Sequence, residues 1–112
     1  MLTYDYFKAV PFSVTICDRD GIVVYMNDAS KQEYADDGGG ALIGKSLVNC
    51  HPEPARSKLV ALLENPVENS YIFRNGPRPL FIYDVPWIEE GIALGIIELL
   101  IPLEVISKHA AF

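Results

Sequence analysis

The sequence predicts an α+β domain: a five-stranded antiparallel sheet, with helices inserted between strands 2 and 3 and packed on one face of it. Three observations predict this. Residues 11–27 read as a hairpin of two alternating strands around an Asp-Arg-Asp-Gly turn. Residues 28–64 carry helical spacing broken by glycine and proline. The last third holds three apolar runs separated by turn residues.

Residues 3–10, TYDYFKAV, read as a short helix or an irregular cap ended by Pro11, and residues 1–10 as a whole as an N-terminal cap. In PFSVTICD, Phe12, Val14 and Ile16 alternate with Ser13, Thr15 and Cys17, as a strand between two environments requires. Asp18-Arg19-Asp20-Gly21 turns the chain, with Gly21 free to take positive φ, and IVVYMN returns. Asn27 or Asp28 can cap a helix reaching about Tyr34, whose thin apolar content (Ala29, Tyr34, Ala35) predicts a short surface element. Asp36 to Gly40 is expected to be a flexible break, residues 41–44 at most one turn, and Gly44 a tight bend. A longer helix is expected to start at Pro52, to use Glu53 in its first turn and to end near Glu64 before Asn65-Pro66. Ala55, Leu59, Leu62 and Leu63 would form its buried side.

Residues 68–75, 80–88 and 92–101 read as three strands, joined by turns at Asn75-Gly76-Pro77 and Glu89-Glu90-Gly91. Pro86 inside the middle one predicts an edge position or a bulge. The last, IALGIIELLI, has apolar residues at both parities, so both of its faces should be covered. Residues 103–112 begin an exit helix, and 1–112 read as a single domain.

Composition excludes several classes. A net charge of −6, with nine scattered Lys and Arg, does not suit a nucleic-acid surface. No run is long and apolar enough for a membrane span, and the amino end has no signal-peptide pattern. Cys17 and Cys50, without a CxxC, point to reduced thiols and a cytoplasmic setting.

The order of elements, with PFSVTICDRDGIVVYMNDAS at 11–30, LIGKSLVNCHPEPARSKLVALL at 42–63 and the strand GIALGIIELLIPLEVI, resembles the PAS sensor fold over nearly the whole chain. The middle segment resembles a subgroup from bacterial signalling proteins in which a Cys-His-Pro step precedes the long helix. The resemblance implies a non-catalytic sensory and dimerisation module, with a cavity between sheet and long helix that can hold haem, flavin or a small metabolite. The closing strand would pass a change to a following helix or to a signalling partner.

Candidate pocket-lining residues are Leu47, Leu59, Leu62 and Leu63 above the sheet, with Ile72, Ile82, Ile96 and Glu98 below. Leu and Ile predominate, which points to a small apolar or ring-containing ligand, or to a pocket filled by its own side chains. A protein-interaction domain with a closed core is the alternative. Cys50 and His51 have ligand chemistry for a metal or for haem, so a haem sensor using His51 is a second alternative. Adjacent side chains point apart, however, and no second histidine clusters with them. The expected role is therefore structural, His51 bonding to backbone or carboxylate and Cys50 filling an apolar space. No bound cofactor is the main expectation. A flavin photoadduct is not expected, because leucine stands at position 47 where light-sensing relatives carry cysteine. Gly39 to Ser46 matches GxxxxGK[ST], but polar residues precede it and no helix starts at Lys45, so no phosphate loop is expected. No catalytic residue is assigned. The outer sheet face, with Ile92, Leu94, Ile97, Leu99 and Ile101, exceeds what one helix layer covers. A homodimer through this face and the N-terminal cap is expected.

Overall fold

The computed structural model describes residues 4–74 and 76–107. Five strands, β1 (Ser13–Asp18), β2 (Val23–Met26), β3 (Asn69–Phe73), β4 (Leu80–Glu89) and β5 (Ile92–Pro102), form one antiparallel sheet in the order β2-β1-β5-β4-β3. Helices α1 (Asp28–Glu33) and α2 (Ala55–Glu64) lie between β2 and β3, with three short 3-10 turns between α1 and α2, and α3 (Leu103–Ser107) follows β5 directly. The first and last strands of the sequence thus meet at the centre of the sheet. This is the five-stranded α+β arrangement that the sequence predicts.

Asn27 fixes the exit from the hairpin. Its side-chain oxygen accepts from the N–H groups of Ser30 (2.9 Å) and Val14 (3.0 Å), and its amide donates to the carbonyls of Phe7 (3.0 Å) and Phe12 (2.9 Å). One buried side chain therefore caps α1, closes β1 and anchors the N-terminal segment. That segment is a turn rather than a helix. Beneath α1, the hydroxyls of Ser30 and Thr15 bond to each other in the core.

The glycine run is a built turn. Gly38 and Gly39 take φ of 115° and 56°, and a Cβ on Gly39 would stand 3.1 Å from the Lys31 carbonyl oxygen. The residues matching a phosphate loop lie in these turns, and the stretch ends where Ser46 bridges Ile22. The long helix starts three residues later than expected. Pro54 stands at its N-cap, while the carboxylate of Glu53 accepts from the Ser57 N–H (2.8 Å) and takes the place of a cap. At its other end Arg19 donates to the carbonyls of Leu63 (2.8 Å) and Glu64 (3.2 Å), so the hairpin turn holds the helix C-terminus.

Pro86 sits in a central strand. β3 pairs with β4 only as far as Asp84, so Pro86 lies on an overhang with one free side, next to a register shift at Trp87/Ile88. Locally this meets the demand of a missing N–H. Asn75 in the turn after β3, residues 1–3 of the cap, and residues 108–112, including His109, lie outside the described residues.

Candidate functional site

Pairing brings a row of polar residues onto the inner face of the sheet. Asn69, Asp84, Glu98 and Thr15 are successive cross-strand partners on β3, β4, β5 and β1. Asp84 is 3% and Glu98 2% exposed. Lone acids on the buried parity of apolar strands need partners, because burying a bare carboxylate is very unfavourable.

Glu98 finds two partners on the helical side. Its Oε1 accepts from the Tyr34 hydroxyl at 2.6 Å, and its Oε2 lies 2.9 Å from Nε2 of His51. Nδ1 of His51 donates to the Leu47 carbonyl at 3.0 Å, and the His51 and Tyr34 rings lie 6.0 Å apart at 26°. Tyr34 comes from the end of α1 and His51 from the approach to α2. One carboxylate therefore joins the central strand to both helical segments. Arg56 donates from Nε to the His51 carbonyl (3.0 Å), which fixes the bend before α2.

Burial alone would lower the His51 pKa, but the Glu98 charge and hydrogen bond, with the Leu47 carbonyl, outweigh it and raise it. Burial likewise pushes Glu98 up, and His51 and Tyr34 bring it below its ordinary value. The two form an imidazolium–carboxylate pair. Burial and the neighbouring Glu98 raise Asp84 to about 7, partly offset by His51 and Asn69. Its Oδ1 has no partner among the described residues. Burial and Glu98 also push the Cys17 thiol up to about 12, and Tyr34 well above its usual range.

Beside this network opens a cavity of about 150 Å³. Tyr34, His51 and Glu98 contribute its polar wall; Ala55, Phe73, Leu80, Ile82 and Leu100 its apolar walls; Glu33, Asp37, Cys50 and Pro52 complete it. Of the expected lining residues, Ile82 and Glu98 stand here. Leu47, Leu59, Leu62, Leu63 and Ile96 instead pack into the continuous core. Ile72 is a correction: it is 46% exposed on the outer face, because the β3–β4 register turns Tyr71 and Phe73 inward. Sequence reasoning missed Tyr34, Asp84 and Asn69 as members of the site. The available signal was a lone Asp inside LFIYDVPWI, matching Glu98 inside the next strand.

Neither candidate ligand fits haem or a metal. His51 faces the cavity, but both its ring nitrogens are engaged, and the volume is well below the ~300 Å³ at which pockets for drug-sized ligands begin. The Cys50 thiol contacts the Ser46 carbonyl at 3.7 Å, and burial raises its pKa. Among the described residues no three His, Cys, Asp or Glu side chains are grouped to hold a metal ion.

The family described as PAS fold matches residues 7–102, and the chain belongs to it. Among solved structures, it resembles the Aer2 receptor from Vibrio cholerae, described as a dual PAS-heme oxygen sensor, at 21% identity and a TM-score of 0.62, over 82% of this chain and 94% of that one. It also resembles the photoactive yellow protein domain of the sensor histidine kinase Ppr from Rhodospirillum centenum, at 17% identity and a TM-score of 0.63, over 88% and 92% of the two chains. The VqmA dimer of Vibrio cholerae matches at 19% identity and a TM-score of 0.63, over 86% of this chain and 48% of that one. At these identities the likeness is one of fold. No protein of curated function matches the chain.

Proposed function

We propose that this chain is a non-catalytic sensory and dimerisation module of a bacterial signal-transduction system, working in the cytoplasm, in which a small molecule between sheet and helices biases packing. One observation carries the reading. The cavity borders Glu98 and Leu100 on β5, the strand that runs directly into α3. A molecule that presses on this wall acts on the strand leading out of the domain, and from there on a signalling partner. Residues 1–112 then act as one unit, with 1–10 as cap and 103–112 as the start of an exit helix.

Family membership supports a sensor over an enzyme, and so does the chemistry of the site. The Cys50 thiol contacts a backbone carbonyl, with no base bonded to it among the described residues, and His51 is held in an ion pair rather than poised to move a proton. A domain that only docks partners, with a closed core, is the second reading. It draws on the dense packing of Leu47, Leu59, Leu62, Leu63 and Ile96. Homodimerisation through the outer sheet face belongs to both readings, and the VqmA structure is described as a dimer. Among the described residues no helix is long and apolar enough to cross a membrane.

Native mass spectrometry of freshly purified protein, with an ultraviolet–visible spectrum, tests the sensor reading. The expected result is a dimer carrying a small added mass that leaves on mild activation. Bare protein that gains no mass from a small-metabolite mixture overturns ligand sensing in favour of docking.

A further inference from the structure

We infer that the cavity takes a small single-ring amine, a hydrogen-bond donor carrying positive charge, in preference to an anion or a plain hydrocarbon ring. This rests on the sensory reading above and names its ligand class. Size sets the first limit: about 150 Å³ is room for one benzene-sized ring. Phe73, Leu80 and Leu100 give such a ring its apolar walls.

Hydrogen-bonding capacity sets the second limit. Both N–H groups of His51 are taken, by Leu47 and Glu98. The Tyr34 hydroxyl gives its proton to Glu98, and the Cys50 thiol faces the Ser46 carbonyl. In the first turn of α2 the N–H groups of Arg56, Ser57 and Lys58 go to Pro52, Glu53 and Pro54. The polar side chains of the lining therefore retain lone pairs and no free proton. An incoming group that only accepts finds no free side-chain donor in the lining, whereas a donor finds several acceptors.

Charge sets the third. Glu33 and Asp37 stand in the wall. Glu33 has Arg78 at 3.8 Å, while Asp37 has no ion-pair partner among the described residues. An ammonium beside Asp37, its ring against Phe73, meets opposite charge and an aromatic face; a carboxylate there meets like charge.

The test is an NMR titration of the full chain with four probes of one ring each: benzylamine, benzyl alcohol, benzoate and toluene. Shifts at Phe73, Leu80 and Leu100 report cavity occupancy. Benzylamine is expected to bind at least about tenfold more tightly than benzoate or toluene. Asp37→Asn, at an exposed position, is expected to narrow the benzylamine–benzoate gap at least about threefold with the fold unchanged. Benzoate or toluene binding as tightly as benzylamine overturns the ligand class and leaves the pocket standing. No shift with any probe overturns the pocket, and the sensory reading with it.

Discussion

Nε2 of His51 and Oε2 of Glu98 meet at 2.9 Å where each side chain is less than a tenth exposed, and they join the start of the long helical segment to the central strand. Removing one member strands the other's charge in the core. His51→Ala is therefore expected to cost about 3–5 kcal/mol, measured by urea denaturation at neutral pH. Replacing both by leucine should cost less than the sum of the single changes, since no charge is left unpaired. A loss below about 1 kcal/mol for His51→Ala contradicts a buried ion pair.

Asp84 gives stability an unusual pH dependence. Its pKa rises from 3.8 to about 7 on folding, so the folded chain holds this proton more tightly. The stability this contributes is full below 3.8 and is lost as pH rises through about 7. His51, also raised, loses its contribution as pH rises through its folded value. Glu98 is lowered, so its contribution is present above its ordinary 4.5 and is lost as pH falls through the folded value. Together they place maximum stability at mildly acidic pH. Asp84→Asn should flatten the alkaline decline and exceed the parent by about 1–3 kcal/mol at pH 8. Equal denaturation midpoints for the parent at pH 5 and pH 8 would rule this out.

The fold was legible because its punctuation is local. Asp18 to Gly21 specifies its hairpin in four residues, and the Asp18 carboxylate accepts the N–H groups of Asp20 and Ile22 there. The site was legible only in part, because it depends on register. Glu98 stood out as an acid in an apolar strand, but its partners lie 64 and 47 positions away. Ile72 was misplaced for the same reason. In ENSYIFRN either parity supplies apolar side chains, and only the pairing with β4 decides which face turns inward. The start of α2 was misjudged because Pro52 suits a first turn, while the chain uses Glu53 to satisfy a helix beginning at Ala55.

Of the glycines, Gly95 leaves the least room for a side chain. A Cβ there would lie 1.9 Å from the Cys17 carbonyl oxygen and 2.8 Å from Cα of Asp18. Both obstacles are backbone atoms of the paired strand, so no rotamer change relieves them. Gly95→Ala should force β1 and β5 apart where the hairpin meets the closing strand. A loss above about 3 kcal/mol, or failure to fold, is expected by circular dichroism and denaturation. A near-neutral Gly95→Ala would mean that the two strands are not in this register.

The outer sheet face supplies the last prediction. Tyr25, Ile16, Ile97 and Val85 line up across four strands, and Val14, Leu99 and Tyr83 form the next row. Except for buried Val14, these side chains are half-buried. The Tyr25 hydroxyl bonds to Asp5, which brings the N-terminal segment to the edge of this face, where Tyr4, Tyr6 and Phe7 are exposed. An apolar face this broad is left in water only at a cost, and a second copy would cover it with the same residues about a two-fold axis. Light scattering is therefore expected to give twice the chain mass at micromolar concentration. Leu99→Glu puts a charge at the centre of the face, where a monomer leaves it solvated and a dimer would bury it. It should yield a monomer while lowering stability by about 1 kcal/mol or less. A parent chain that stays monomeric at every concentration, or a Leu99→Glu variant that still dimerises, would place the interface elsewhere or remove it.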